Sequence, residues 1–266
     1  MFVVVQFYGY YMIKAIIYDK DGTLMRFDDF WVPVAKEAIK SIVRKVAGAS
    51  LGLVLKITAE IEEAIGVFGN TAAPEGILCG GTYSQFASVM TEVLGEFGFN
   101  AVVNRREVEQ AISDNISKGE ILPACDNLRG KLEKARKKAA LFVATTDDRL
   151  ITKYCLEKLG IADLFDAIYC DDNVIPHKPD PFAANEIAKK LGSEKVGIFM
   201  IGDTNTDRKF AENAGIGFVL VGSDPLFKEK CAFCAKDVGE ATELVLSFGE
   251  NAETAMSDVK ADVISA

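Results

Sequence analysis

A mostly apolar run from Ile13 to Tyr18 ends abruptly in two aspartates, Asp19 and Asp21, that are separated by a single residue. The run predicts a buried strand, and because side chains alternate in direction along an extended chain, both carboxylates fall on the same side. Gly22 then allows a sharp turn. Two carboxylates this close repel one another unless a cation joins them or one takes a proton. The stretch therefore predicts a metal site, an acid/base pair or both; the alternative is a solvated aspartate pair that caps the strand.

Bulk composition limits the classes of protein to which the chain can belong. It has 266 residues, 49% apolar and 26% charged, as in a globular enzyme with a large core. The net charge of -9 argues against nonspecific nucleic-acid binding, although not against a small anionic substrate. The apolar segment from Met1 to Ile13 is too short to span a bilayer and lacks the basic start of a signal peptide. We expect a cytoplasmic protein that does not enter membranes; whether residues 1–11 belong to the native protein stays open.

The six cysteines are scattered through the chain, which favours reduced thiols over a disulfide framework. Cys231 and Cys234 have zinc or redox spacing, but a structural zinc site needs two more soft ligands and the sequence offers no second such pair. We therefore expect reduced cysteines in a late loop near the surface, and the role of Cys231 and Cys234 stays open.

A helical insert is predicted directly after the first motif. A polar-aromatic link, Arg26 to Trp31, leads into it, and no convincing strand is visible from 28 to 124. The glycine-rich loop from Glu75 to Gly81 is a candidate specificity loop, with a plain connector as the alternative. We predict an all-helical cap domain over 28–124, with helices at Pro33–Val46, Thr58–Phe68, Thr82–Phe97 and Arg105–Ser117.

Helices and strands alternate from Asp126 onward, with the last clear strand at Ile216–Val221. This order predicts an α/β fold, a Rossmann-like parallel sheet with helices on both faces. The core domain would comprise 1–27 and 125–248, and 249–266 would form a flexible tail.

Polar clusters follow three of the predicted strands. Since the carboxyl ends of parallel strands meet at one edge of a sheet, where ligands bind, these clusters should share a crevice. A fourth element, Lys178, lies in a proline-stiffened loop after another strand. Carboxylates, hydroxyls, a lysine and backbone amides together favour a phosphate site. The clusters are Asp19 with Asp21, Thr145 with Thr146, and Gly202 with Asp203.

These residues resemble, in order, the four motifs of the haloacid dehalogenase (HAD) superfamily. The resemblance covers roughly 12–25 and 126–223, and the helical insert resembles the cap of the phosphoglycolate phosphatase-like branch. Any one motif is a weak signal, but four in order at strand ends make chance improbable. The motifs are Asp19-x-Asp21-Gly-Thr-Leu, Thr145, Lys178-Pro, and Gly202-Asp203-x-x-x-Asp207.

The resemblance implies catalytic roles for three residues. Asp19 would be the nucleophile that forms an aspartyl-phosphate, and Asp21 would protonate the leaving alcohol and later activate water. Lys178 would screen Asp19 from the incoming anion and stabilise transition-state charge.

The resemblance also implies a Mg2+ site and contacts to a small phosphorylated metabolite. The cation would be held by the carboxylates of Asp19 and Asp203 and the backbone carbonyl of Asp21, with Asp207 as a further acidic group. The residues expected to contact the phosphoryl group are Gly22, Thr23, Thr145, Thr146 and Lys178.

Plainer interpretations exist for each residue alone. Asp203, Asp207 and Thr145 could cap helices, and Lys178 could be a solvated lysine. His177, the single histidine, is expected to be a bystander.

Three charged neighbours of the motifs are expected to lie outside the chemistry. Lys20 stands where relatives usually carry an apolar residue, and we predict that it points away from the crevice with little catalytic effect. Asp147 and Asp148 are predicted to be first-turn helix residues that face away.

The sequence therefore favours a Mg2+-dependent phosphatase for a small-metabolite phosphate monoester, with phosphoglycolate as one candidate. Asp21 disfavours carbon–halogen cleavage, because a departing halide needs no proton. The alternatives are a phosphosugar mutase of the beta-phosphoglucomutase kind and a non-catalytic phosphate-binding regulatory protein. We expect a monomer or homodimer that binds neither nucleic acid nor membrane.

Overall fold

The computed structural model describes residues 12–48, 50–171, 175–192, 194–222, 229 and 231–249. The questions about residues 1–11 and nearly all of the predicted tail, 250–266, lie outside this part. Two compact units are present, one formed by the chain up to Met25 and from Pro123 onward, the other by Arg26–Leu122. That they are separate domains with limits at 27/28 and 124/125 stays a prediction. Within the described residues, no helix combines the length and apolar content needed to cross a bilayer.

The chain enters the first unit through strand β1 (Ala15–Tyr18) and then leaves it for the second unit. The elements of the second unit, in chain order, are α1 (Phe27–Ala47), α2 (Leu51–Ala64), β2 (Val67–Phe68), β3 (Thr71–Ala72), α3 (Ile77–Gly80), α4 (Tyr83–Glu96) and α5 (Arg105–Asn115), followed by a 3-10 turn (Ile116–Lys118). Helix α1 packs against α2 and α5 through a buried apolar face.

The predicted link before the first helix is wrong, because α1 already begins at Phe27. Pro33 therefore lies inside the helix, where it cannot donate a hydrogen bond to the carbonyl of Asp29. The amide of Glu120 donates to that carbonyl instead, at 2.9 Å, so the proline leaves no acceptor unsatisfied there. A local sequence pattern cannot reveal a partner that is so distant along the chain.

The second predicted helix is displaced, and the expectation of no strand is wrong. Helix α2 ends at Ala64, and β2 and β3 form a short antiparallel hairpin in place of the predicted last turn. Two residues per strand are too few for an alternation pattern to register. The unit is otherwise helical, and part of the glycine-rich loop forms α3.

The return to the first unit completes its sheet. The remaining elements are α6 (Leu128–Arg136), β4 (Ala140–Ala144), α7 (Arg149–Lys158), a 3-10 turn (Ala162–Leu164), β5 (Ala167–Tyr169), α8 (Phe182–Lys190), β6 (Ile198–Gly202), α9 (Asn205–Ala214), β7 (Gly217–Val221), β8 (Cys234–Ala235) and a last helix, α10, over 238–249.

The sheet is six-stranded and parallel, in the order β5-β4-β1-β6-β7-β8. Strand β8 is an addition to the prediction, and it places Cys234 in a strand where a loop was expected. All six cysteines are free thiols. The α/β class, with a parallel sheet and a helical insert after the first motif, is confirmed.

Helices cover both faces of the sheet, as the alternation along β1 requires. Ile16 and Tyr18 belong to one buried cluster, with residues of α6, α7 and α10. Ala15 and Ile17 belong to the other, with residues of α8 and α9. Strand β1 is therefore central and fully buried, and its carboxyl end lies between those of β4 and β6.

Candidate active site

The turn after β1 places Asp19 at the carboxyl edge of the sheet. The Asp19 amide donates to the carbonyl of Ile201 at 2.9 Å, which ties the residue to β6, and its side chain is 9% exposed. Gly22 has a φ of 78°, and a Cβ built there would lie 2.1 Å from Oδ2 of Asp203. Only glycine permits both this conformation and this close approach.

A helix N-terminus holds the second pair of acids. Thr204 is the N-cap of α9 and Asp207 its capping-box partner, since the Thr204 amide donates to Oδ2 of Asp207 at 3.0 Å. Asp203 is not the cap residue; its Oδ1 accepts a hydrogen bond from the Thr23 hydroxyl at 3.1 Å. Asp207 therefore does cap a helix, as one interpretation expected. Capping occupies its Oδ2, and its Oδ1 faces Lys178.

Lys178 joins the two sides of the site. Its ammonium lies 2.5 Å from Oδ1 of Asp19 and 2.5 Å from Oδ1 of Asp207, and its side chain is almost completely buried. Burial alone would lower the pKa of Lys178, but the two carboxylates outweigh that effect and raise the pKa. The lysine is therefore a fixed cation at neutral pH, and the solvated-lysine interpretation is wrong.

Three carboxylates converge beside this lysine. One oxygen each of Asp19, Asp203 and Asp207 lie within 4.8 Å of one another. Burial raises the pKa of Asp19 to about 7, with Asp207 and Asp21 adding to the rise and Lys178 opposing it. Burial and the charges of Asp19 and Asp207 also raise the pKa of Asp203 well above its ordinary value. Three ionised acids beside one lysine would carry excess negative charge, which a cation can neutralise, and their all-oxygen donor set suits a hard divalent cation such as Mg2+.

Cation binding should stabilise the protein in a pH-dependent manner. Without metal, the raised carboxyl pKa values make the folded state hold protons that the unfolded state has lost. Stability should therefore fall as pH rises from about 4 towards about 7. A cation that binds the ionised carboxylates opposes this loss. We expect the rise in melting temperature caused by Mg2+, relative to chelator, to grow between about pH 5 and about pH 8.

Differential scanning fluorimetry measures this prediction, and Asp203→Asn is the matched control because it keeps size and removes one charge. The variant should show a markedly smaller Mg2+ shift. An equal shift in both proteins would contradict the assignment of Asp203 to the cation site.

The hydroxyl residues after β4 differ in their surroundings. Thr145 is buried, and its hydroxyl oxygen accepts a hydrogen bond from the Asp147 amide at 3.2 Å, which leaves the hydroxyl hydrogen able to donate. Thr146 is exposed. The capping interpretation of Thr145 is wrong, because Asp148 is the N-cap of α7 and accepts from the amides of Leu150 and Ile151.

The structure corrects one prediction about the neighbouring charges, the one made for Asp147. Lys20 is completely buried; its ammonium lies 2.5 Å from Oδ1 of Asp21 and 3.1 Å from Oδ2 of Asp147. Lys20 therefore contacts a candidate catalytic residue, and Asp147 faces Lys20 instead of facing away. Burial raises the pKa of Asp147, with Lys20 opposing and Asp21 adding to the rise. The sequence signal for this contact is a charge pattern: Lys20 lies between two aspartates, and two further aspartates follow strand β4.

The remaining predicted residues can be placed briefly. The Asp21 carboxylate is not a member of the cluster of Asp19, Asp203 and Asp207, and the expectation that its backbone carbonyl faces the cation stays a prediction. His177 is exposed; its Nε2 lies 4.0 Å from Asp171, and its ring contacts the Lys178 carbonyl. The structure thus brings together Asp19, Thr23, Lys178, Asp203 and Asp207.

This chain resembles one family of hydrolases and several known proteins. A family model described as a hydrolase, haloacid dehalogenase-like hydrolase, matches residues 13–215. A phosphoglycolate phosphatase from Rhodospirillum rubrum is 25% identical over 210 residues, which are 79% of this chain and 80% of that protein. One from Neisseria gonorrhoeae is 31% identical over 75 residues, 28% of this chain, so the match spans only 32% of that relative.

A solved structure shares the fold. It is the crystal structure of a predicted phosphoglycolate phosphatase from Haemophilus somnus 129pt, with a TM-score of 0.62 and 17% identity. The superposition covers 87% of this chain and 97% of that one.

Proposed function

Since the chain belongs to the haloacid dehalogenase-like hydrolase family, we propose that it is a Mg2+-dependent phosphatase that hydrolyses a small-metabolite phosphate monoester through an aspartyl-phosphate. The contact that carries this proposal is the one between Lys178 and Asp19, at 2.5 Å, beside the cluster formed with Asp203 and Asp207. Residues from three distant parts of the chain thereby surround a single carboxylate that can act as a nucleophile.

In the first step, a carboxylate oxygen of Asp19 forms a bond to phosphorus, and the bond between phosphorus and the leaving oxygen breaks. The departing alkoxide takes a proton from the Asp21 carboxyl group, so the product leaves as an alcohol. Lys178 and the Thr145 hydroxyl stabilise the negative charge on the phosphoryl oxygens.

In the second step, a water oxygen attacks phosphorus, and the bond to Asp19 breaks. Asp21 takes a proton from this water, which releases inorganic phosphate and restores both aspartates. Bound at Asp19, Asp203 and the backbone carbonyl of Asp21, with Asp207 nearby, Mg2+ would supply neutralising charge for carboxylate and phosphoryl oxygens.

The names of the relatives indicate which substrate to try first. Proteins called phosphoglycolate phosphatases are among those that this chain resembles, so 2-phosphoglycolate belongs in any panel. Other small phosphate monoesters belong there too, because the identities are low.

A panel of phosphate esters, assayed for phosphate release with Mg2+ and with chelator, tests the proposal. We expect hydrolysis of p-nitrophenyl phosphate and of at least one metabolite ester, at least about 100-fold slower with chelator. Isomerisation of a phosphosugar with little phosphate release would favour the mutase alternative. Saturable binding of inorganic phosphate without turnover of any ester would contradict an enzymatic role altogether.

A further inference from the structure

Lys20 occupies an unusual position, in the turn between the two aspartates of the first motif. The residue has no exposed surface. Its ammonium lies 2.5 Å from Oδ1 of Asp21, 3.1 Å from Oδ2 of Asp147 and 3.8 Å from the sulfur of Met25. A lysine is almost never buried to this extent unless it is paired, and here both anions are carboxylates of loops at the same sheet edge.

Asp147 is itself held firmly in place. Its amide donates to the Thr145 hydroxyl, and its carbonyl accepts from the Asp171 amide at 3.0 Å. Its Oδ1 accepts from the Asp148 amide at 2.7 Å, while Oδ2 faces Lys20. These bonds tie Asp147 to the ends of β4 and β5, so it can anchor the ammonium of Lys20.

The consequence concerns the orientation of Asp21. Its side chain is 16% exposed and follows the carboxyl end of β1, and a short acidic side chain has more than one rotamer unless a contact restrains it. The Lys20 ammonium restrains one of its oxygens. Proton transfer requires a group held within hydrogen-bond reach of the reacting atom, and a supporting shell is what maintains that geometry.

We propose that Lys20, anchored by Asp147, is a positioning residue that holds the Asp21 carboxyl group in place for proton transfer to the leaving oxygen. Lys20 acts through the Asp21 carboxyl group and Asp147 acts through Lys20, and neither is assigned a contact with the substrate. This inference rests on the proposed phosphatase function, and it adds to that function a pair of residues that act through Asp21.

Leaving-group dependence tests the inference, because only a poor leaving group needs the proton. The measurement is kcat/KM, which reports the steps up to transfer of the phosphoryl group to Asp19. The substrates are p-nitrophenyl phosphate and an alkyl ester that the wild type hydrolyses. In Lys20→Met we expect kcat/KM to fall about 10- to 100-fold more for the alkyl ester than for the aryl ester. Lys153→Met, which breaks an exposed ion pair with Glu157, should change neither value.

A second variant guards against a folding defect. Lys20→Met alone leaves Asp147 buried without its cation, whereas Lys20→Met/Asp147→Asn removes both charges and should fold. The double variant should show the same selective loss. In an Asp21→Asn background, adding Lys20→Met should lower kcat/KM little further, because the carboxylate that Lys20 positions is already absent.

The outcomes separate the two claims. If Lys20→Met lowers kcat/KM equally for both esters, or not at all, the positioning role is overturned. Turnover by the wild type would still support the phosphatase function. A wild type that hydrolyses neither ester would refute the proposed function and the inference with it.

Discussion

Asp19→Asn is expected to abolish ester hydrolysis, lowering kcat by at least about 10^4-fold, because an amide cannot serve as the nucleophile. Steady-state phosphate release with Mg2+ measures the loss. The fold should persist, since asparagine has nearly the same shape and removes a buried charge whose raised pKa opposes folding at neutral pH.

The control for this variant is its melting temperature in chelator, which should equal or exceed that of the wild type. An Asp19→Asn protein that remains folded and retains turnover within about 10-fold of the wild type would show that another group attacks phosphorus.

Lys178→Met is expected to lower kcat/KM by about 10^3-fold, the second largest effect, because the cation beside the nucleophile is lost. In the wild type the Lys178 ammonium pairs with the carboxylates of Asp19 and Asp207. In the variant these two carboxylates would face each other without a cation between them. The anionic substrate should bind more weakly, and the negative charge of the transition state should be less stabilised. KM should therefore rise and kcat should fall.

The fold of this variant needs its own check, because breaking a buried ion pair costs about 3–5 kcal/mol. Mg2+ should still raise its melting temperature, which would show that the carboxylates remain assembled. Lys178→Arg keeps the charge but changes its shape, and it should recover only part of the activity. A folded Lys178→Met protein with nearly unchanged kinetics would exclude the role assigned to this lysine.

Much of the site could be predicted from the sequence, because each polar cluster directly follows an apolar run in the chain. The apolar runs before Asp19, Thr145 and Asp203 are strands buried on both faces, and strand ends in a parallel sheet share an edge. Placing Lys178 beside Asp19 came from the ordered motifs of a family and not from spacing.

Other features depend on partners that lie far away along the chain. Pro33 is tolerated inside α1 because Glu120 donates to the freed carbonyl of Asp29. Asp147 was expected to face away, but its Oδ2 lies 3.1 Å from the ammonium of Lys20, a partner far away along the chain. A local sequence pattern could not predict this ion pair, because the pair joins two loops that are distant in sequence.

The central claim is that the first aspartate of the motif carries phosphate during turnover, and acid quenching followed by peptide mass spectrometry tests it most directly. Asp21→Asn is the variant of choice with p-nitrophenyl phosphate, because phosphoryl transfer to Asp19 needs no acid there, whereas the water that removes the phosphate lacks its base. We expect the peptide that contains Asp19 to gain the mass of one phosphoryl group and to lose it on treatment with hydroxylamine. Phosphate on a different peptide, or rapid turnover of this variant without any labelled peptide, would contradict the account.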